Sequence, residues 1–101
     1  MAVRTKQDAA RVLSDTSEDK HFFCSDGCVS ANLYQLAQCL EHMTDDSYHH
    51  HATPDKNDFT NWIRDVFGDD KLANDLRLCA NRAEAVKVVR GRIAWLQKKL
   101  K

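Results

Sequence analysis

Apolar residues recur at the spacing of a helix along most of this chain. The clearest case is the segment 59–67, where apolar side chains at positions 59, 62, 63, 66 and 67 define one face. Gly68 ends this segment, and Asp69 with Asp70 begins the next one. The pattern predicts a helix–turn–helix hairpin over residues 57–76, around which the other helices pack.

Three further segments have a helical pattern. They are a short helix over residues 2–14, a leucine-rich helix from about 32 to 43, and a last helix from 81 to about 100. The last helix opens with the capping-box spacing of Asn81 and Glu84, and its apolar seam lies at positions 86, 89, 93, 96 and 100. Residues 44–47 end the leucine-rich helix and can begin another short one.

A short run between these helices has the pattern of a β-hairpin. Residues 21–24 are typical of an extended segment, and Cys28 with Val29 would form the returning strand. Asp26-Gly27 between them supplies the positive φ angles of a tight turn. The same residues also fit an irregular loop packed by Phe22 and Phe23.

Length and composition agree with a small helical domain. The chain has 101 residues, 43% of them hydrophobic and 30% charged, with three glycines and one proline. So few turn-forming residues favour helices over many short strands. We therefore predict one all-α domain over residues 1–101, a compact bundle of four to five helices. Residues 1–20 would form a loosely attached N-terminal helix and linker.

Charge is distributed unevenly although its formal sum is zero. Residues 1–80 carry 8 Lys/Arg against 14 Asp/Glu, whereas residues 81–101 carry 7 against 1. The favoured interpretation is that the basic last helix neutralises the acidic body of its own domain. Alternatively its basic side chains, together with Trp95, bind nucleic acid.

The first residues and the cysteines bear on the compartment. Residues 1–15 lack the apolar core of a secretory signal, and no apolar run reaches the ~20 residues needed to span a bilayer. We therefore expect a cytoplasmic protein that does not enter a membrane. In that compartment the four cysteines would be reduced thiols rather than a disulfide framework.

Five histidines and four cysteines make a metal site conceivable. Cys24 and Cys28 flank the predicted turn, and His49 with His51 could complete the four ligands that zinc prefers. There is, however, no second cysteine pair and no histidine pair of zinc-finger spacing. Structural thiols are the favoured interpretation, so no cofactor is predicted and zinc is the alternative.

Catalysis has little support in the sequence. Cys24 beside a histidine would be a conceivable nucleophile. Yet nothing supplies an oxyanion site, a C-x-x-C redox pair or a glycine-rich phosphate loop. We therefore predict a protein without catalytic residues.

The polar residues around the histidine run form the main candidate site. Adjacent helical residues point ~100° apart, so one of His49, His50 and His51 would face inward and two would be solvated. The inward histidine would pair with Asp58 or Asp65, as a structural contact, a pH-dependent contact or a catalytic base. Asn57 and Asp58 can cap the following helix. The cluster would either fasten the histidine segment to that helix or form a polar notch beside Trp62.

The order of these motifs resembles a known family. Phe22-Phe23 before Asp26-Gly27, the leucine-rich helix, Tyr48 with the histidines, and N-D-F-x-x-W-I-x-D-V at 57–66 follow one another. This order is similar to that of an uncharacterised small helical domain of archaea and bacteria, over roughly residues 10–98. The resemblance implies a compact helical domain and carries no activity.

We therefore predict a non-catalytic protein-binding or accessory module that docks on an enzyme or a larger complex, as a monomer or homodimer. The predicted partner-binding residues are His49, His50, His51, Asn57, Asp58, Trp62 and Asp65 near the notch, with Arg90 and Lys98 on the last helix. One alternative is a metal or thiol site formed by Cys24 and Cys28 with the histidine run. The other is nucleic-acid or ribosome association through the last helix.

Overall fold

The computed structural model describes residues 3–101 as a helical bundle with one small hairpin. The described helices are α1 (Lys6–Leu13), α2 (Leu33–His42), α3 (Asp45–His51), α4 (Asp58–Trp62), α5 (Asp70–Arg77) and α6 (Arg82–Lys99). The strands are β1 (Phe22–Phe23) and β2 (Val29–Ser30), which pair antiparallel, and a 3-10 turn covers Glu18–Lys20. The prediction of an all-α bundle with a hairpin is confirmed. The helix count exceeds four to five because residues 45–51 form a helix of their own.

Local side-chain caps explain where these helices begin. Each is preceded by an Asn, Asp or Thr whose side chain accepts the N–H of the residue three positions on: Thr5, Asn32, Thr44, Asn57, Asp69 and Asn81. Such a cap stabilises a helix by about 1 kcal/mol. At α6 the expected capping box is shifted by one residue, because the Glu84 carboxylate accepts from the N–H of Ala80.

The core lies between α2 and α6, with the other helices around them. The predicted leucine stripe of α2 is buried, as are Val89, Ile93 and Leu96 on α6. At the first end of the predicted α6 seam, Val86 is partly buried against the core and Ala85 is fully buried beside it, whereas the last predicted position, Leu100, is wrong because it is 41% exposed. Leu100 lies beyond the last helical residue, so it does not continue the packed face.

The N-terminal helix belongs to this core, contrary to the expected loose attachment. Ala9 and Val12 are fully buried, and α1 packs against α6. The Arg11 guanidinium donates to the carbonyl of Phe67 at 2.6 Å. The predicted helix start at residue 2 lies outside the described residues.

The hairpin forms, but with a wider turn than the sequence predicts. Cys24 N–H donates to the Cys28 carbonyl, and the Cys24 carbonyl accepts from Gly27 N–H. Gly27 has φ +92°, whereas Asp26 has a negative φ. The connection is therefore a three-residue loop that needs a left-handed residue only at its last position.

The central hairpin of residues 57–76 is present as predicted. Its first helix, α4, continues into a π-helical turn at Ile63–Phe67 and ends at Gly68, which has φ +68°. Asp69 then caps α5 and is fully buried, because Arg92 of α6 holds its carboxylate through two hydrogen bonds of 2.8 Å. This buried ion pair joins the central hairpin to the last helix.

The cysteines differ from the expectation of four reduced thiols. Cys28, beside the hairpin turn, and Cys39 of α2 form a disulfide, with their Cα atoms 6.1 Å apart. Cys24 and Cys79 are free thiols. A spacing of 11 residues gave no indication of this pairing, because the fold brings the turn against the middle of α2.

Candidate functional site

His51 is the inward-facing member of the histidine run. It is 7% exposed, and its Nδ1 lies 2.9 Å from Asp58 Oδ2. Its Nε2 accepts a hydrogen bond from the backbone N–H of Ser25 at 2.9 Å. Because Nε2 accepts, Nδ1 carries the proton of the neutral ring and donates to Asp58. The predicted histidine–aspartate contact is therefore present, with Asp58 rather than Asp65.

His51 of α3 is hydrogen-bonded both to the hairpin turn, at Ser25, and to the start of α4, at Asp58. The order Asp58, His51 and Ser25 looks like a catalytic triad, but Ser25 contributes its backbone N–H and not its hydroxyl. The Ser25 hydroxyl lies 3.0 Å from the hydroxyl of Ser47. Because the Nε2 lone pair is occupied, His51 does not activate Ser25 as a nucleophile. The geometry supports the structural interpretation over the catalytic base.

The charge of Asp58 follows from its surroundings. Burial acts to raise its pKa, but hydrogen bonds from His51 and from Lys56, whose Nζ lies 3.2 Å away, outweigh burial and lower the pKa. Asp58 is therefore a carboxylate at neutral pH. It links the end of α3 to the start of α4.

A groove opens beside this link, on the side of α4 that faces α5. Its volume is about 650 Å³. Its walls are formed by Tyr48 and His49, by residues 52–57, by Thr60, Asn61 and Arg64, and by Arg77, Cys79 and Ala80. We call it the basic groove, after its side chains Lys56, Arg64 and Arg77. Of the predicted site residues, only His49 and Asn57 line it.

The basic groove has an excess of positive charge. Its three basic side chains are accompanied by one acidic residue, Asp55. Arg64 donates to the amide oxygen of Asn61 at 2.7 Å. Arg77 has no side-chain hydrogen bond or ion pair within residues 3–101. Two guanidinium groups in this groove therefore lack a carboxylate partner in the described part of the chain.

The loop that forms one wall of the groove is held by short-range contacts. Ala52 and Asn57 form an isolated antiparallel bridge, and Thr53 N–H donates to the Lys56 carbonyl at 2.7 Å. Asn57 accepts from Thr60 N–H and donates to the Leu76 carbonyl. Its side chain is thus occupied by the fold, so its part in the groove is to hold the walls.

Trp62 does not line the basic groove, and its side chain is engaged within the fold. Trp62 is 8% exposed, and its indole N–H donates to the Lys20 carbonyl at 2.7 Å. Its ring packs against Phe22 and Phe67. The apolar spacing in the sequence correctly placed Trp62 on this helix, α4. Its side chain is covered because the β1–β2 hairpin packs onto that face of the helix.

The remaining predicted residues near the run lie at the surface. His50 and Asp65 are exposed and do not line the basic groove. The ring of His50 packs edge-on against His51, with centroids 5.0 Å apart. The structure therefore does not gather the whole predicted set into one site.

The last helix uses its arginines within the domain. Arg82 contacts Asp45 at 2.9 Å, and Arg90 contacts Glu41 at 2.5 Å. Arg92 holds Asp69, as described above. Lys98 is exposed at the surface. This geometry fits the interpretation that α6 neutralises the acidic body.

The alternative zinc ligands are not assembled. Cys28 is in the disulfide, and both nitrogens of His51 are occupied by Asp58 and Ser25. Burial raises the pKa of the Cys24 thiol to about 11, so it is protonated at neutral pH. In residues 3–101 no group of three or more His, Cys, Asp or Glu side chains is placed to hold a metal ion.

Sequence reasoning did not find Arg64 and Arg77. Nothing in the sequence links them, since they lie 13 positions apart and only the α4–α5 hairpin brings them together. Lys56 could have been noticed, because it directly precedes Asn57 and Asp58.

Comparison with known proteins does not assign this chain to a family. No protein-family model, no curated protein and no solved structure matches it. The resemblance over residues 10–98 therefore stays a prediction.

Proposed function

We propose that this domain is a non-catalytic binding module whose basic groove takes an acidic segment of a partner protein. The observation that carries the proposal is the pair Arg64 and Arg77, two guanidinium groups in a groove of about 650 Å³ without carboxylate partners in residues 3–101. Guanidinium groups bind carboxylates through paired hydrogen bonds, which gives both affinity and orientation. The module would dock on an enzyme or a larger complex through this contact.

The charge of the surrounding domain favours a short acidic segment over a nucleic acid. Outside the groove, residues 1–80 carry an excess of acidic side chains. A long polyphosphate would run over these carboxylates and be repelled, whereas a segment confined to the groove would not. A protein segment with a few carboxylates fits this local field.

The proposal is tested with a fluorescein-labelled peptide of eight glutamates, followed by anisotropy at low salt. We expect saturable binding that weakens as salt rises. Arg64→Gln with Arg77→Gln should weaken it by about tenfold or more, because two charge-assisted hydrogen-bond donors are lost. Arg90→Gln with Lys98→Gln removes as much charge from α6 and should change binding by less than about twofold.

Equal losses in the two double variants would contradict the proposal, since they would show attraction by net charge alone. Absence of saturable binding to the wild-type domain would also contradict it. Circular dichroism of each variant establishes that a loss of binding is not a loss of folding.

A second candidate function is nucleic-acid association through α6. It is favoured by Trp95, which is 40% exposed and has Arg92 4.3 Å and Lys99 4.9 Å from its ring. An exposed ring between cations is a platform on which a base can stack. Binding of a labelled single-stranded RNA that is lost in Trp95→Ala, but kept in Arg77→Gln, would support it.

We also propose a cytoplasmic location, as the sequence predicts. Within residues 3–101 no helix is long and apolar enough to cross a membrane. The cytoplasm keeps thiols reduced, whereas disulfides persist in oxidising compartments. The Cys28–Cys39 disulfide counts against this location, so the test measures the location directly. Fractionation of cells that make the protein should recover it together with a cytoplasmic marker. Recovery with a secreted or membrane-enclosed oxidising fraction would contradict a cytoplasmic location.

A further inference from the structure

A second cavity adjoins the basic groove across the link from α5 to α6. It has a volume of about 350 Å³, and Cys79 borders both cavities. Leu78, in its wall, is 73% exposed, more than any other large apolar side chain in the described part of the chain. Val88 of α6 forms another part of the wall. We call this the Leu78 cavity.

The acidic residues of the Leu78 cavity are already engaged. Asp75 pairs with Lys71 at 3.0 Å. Glu84 accepts the backbone N–H of Ala80 at the start of α6. The Cys79 thiol donates to the Asp75 carbonyl at 3.3 Å, and burial raises its pKa, so it behaves as a small apolar group. The part of this cavity that these contacts leave open is therefore its apolar surface, at Leu78 and Val88.

A basic side chain lies at the edge of this cavity as well. Lys87 lines it and has no side-chain hydrogen bond or ion pair within residues 3–101. The two cavities together thus offer unpaired cations at Arg77 and Lys87, with exposed apolar surface at Leu78 between them in the chain. Cationic side chains in two adjoining cavities that also expose apolar surface are complementary to an acidic segment that carries a large apolar residue.

We propose that the partner segment places a large apolar side chain, such as Phe or Leu, on Leu78 and Val88 while its neighbouring carboxylates bind in the basic groove. This inference rests on the function proposed above and specifies its ligand. The link Leu78–Ala80 separates the two cavities by only a few residues, so one short segment can occupy both. An exposed apolar surface continuous with a charged groove is typical of a peptide-binding site.

Two labelled peptides test the inference by anisotropy: four glutamates followed by Phe, and four glutamates followed by Ala. We expect the Phe peptide to bind about tenfold more tightly, as the burial of one large apolar side chain implies. Leu78→Ser should remove this preference and leave the affinity for the Ala peptide unchanged. The control is Leu100→Ser, because Leu100 is also exposed, at 41%, but lies at the end of α6; it should leave both affinities unchanged.

The outcomes separate this inference from the proposed function. Equal binding of the two peptides would overturn the inference and leave the proposed binding of acidic segments in the basic groove in place. No binding of either peptide would overturn both. A loss of affinity for the Ala peptide in Leu78→Ser would overturn the inference, since Leu78 would then not select the apolar residue.

A second copy of this chain is the competing occupant, and sedimentation measures it directly. We expect the wild-type domain to sediment without a dimer that depends on Leu78. A concentration-dependent dimer that Leu78→Ser dissociates would overturn the inference, because the cavity would then be an interface between copies.

Discussion

The last helix and the basic groove both carry basic side chains, but in different electrostatic settings. On α6, Arg82, Arg90 and Arg92 each contact a carboxylate on another element. In the groove, Arg64 contacts an amide, and Arg77 has no side-chain partner in residues 3–101. A cation paired within the domain stabilises the fold, whereas an unpaired cation is available to a ligand. The density of charged residues along the sequence therefore does not indicate where a partner binds.

The largest expected effect is at the buried ion pair between α6 and Asp69. Asp69→Asn keeps an amide oxygen for the cap of α5 but removes the charge that pairs with Arg92, whose side chain is 12% exposed. An uncompensated buried charge costs about 3–5 kcal/mol, so the free energy of unfolding should fall by that amount. Urea unfolding measures it. A loss below about 1 kcal/mol would show that Arg92 finds water or another partner.

The next effect concerns the contact between α3 and α4, beside the basic groove. Asp58→Ala leaves the Nδ1–H of buried His51 without its acceptor, which costs about 1–3 kcal/mol. Because Asp58 joins α3 to α4, acidic-peptide binding should weaken along with stability. The matched control is Asp55→Ala: Asp55 is exposed in the same loop, and its loss should leave the free energy of unfolding nearly unchanged. Equal effects of the two substitutions would contradict the structural role of Asp58.

The pKa of Asp58 makes this contact depend on pH. Since the folded pKa is below the usual value of 3.8, the contact stabilises the fold above that value, and this stability is lost as pH falls through the folded pKa. Asp58→Asn removes the titrating group. The difference in free energy of unfolding between wild type and Asp58→Asn should therefore shrink as pH falls from 6 to about 3. A constant difference over this range would contradict the lowered pKa.

A smaller effect is expected at the exposed ion pair of α6. Arg90 and Glu41 are 45% and 38% exposed, so Arg90→Gln should lower the free energy of unfolding by only about 0.2–1 kcal/mol. High salt should reduce the difference further, because it screens exposed charges. A loss as large as that of Asp69→Asn would contradict the expected difference between the exposed and the buried ion pair of α6.

The smallest effect on stability is expected in the groove itself. Arg77→Gln removes a side chain without described partners, so the free energy of unfolding should change by less than about 0.5 kcal/mol. Acidic-peptide binding should nevertheless fall. Thermal unfolding and anisotropy on one preparation compare the two quantities. A large decrease in the free energy of unfolding would show that Arg77 stabilises the fold, and it would contradict a role for Arg77 in ligand binding alone.

Periodicity and capping residues alone predict most of the fold. The apolar faces of α2 and of the α4 segment, and the caps Asn57 and Asn81, follow from positions three or four residues apart. These are local interactions, so the sequence records them directly. The hairpin was also predictable, because a turn that needs a positive φ requires glycine at position 27.

The candidate site was only partly predictable. An inward histidine paired with an aspartate follows from the composition of residues 49–58, but which histidine faces inward depends on how α3 lies against the hairpin turn. The covering of Trp62 and the Cys28–Cys39 disulfide likewise depend on how the hairpin packs onto the bundle. Such contacts join residues distant in sequence, and no local pattern reports them.

The sequence by itself thus determined most of the helices, several of their caps and the position of the turn, because each depends on neighbours within about one helical turn. The tertiary structure decided which charges are paired and which are free. Arg90 lies in the most basic part of the sequence and is paired with Glu41, whereas Arg77 lies in the acidic part and has no partner within residues 3–101. The physical reason is that electrostatic pairing depends on distance in space, which the packing of the helices sets.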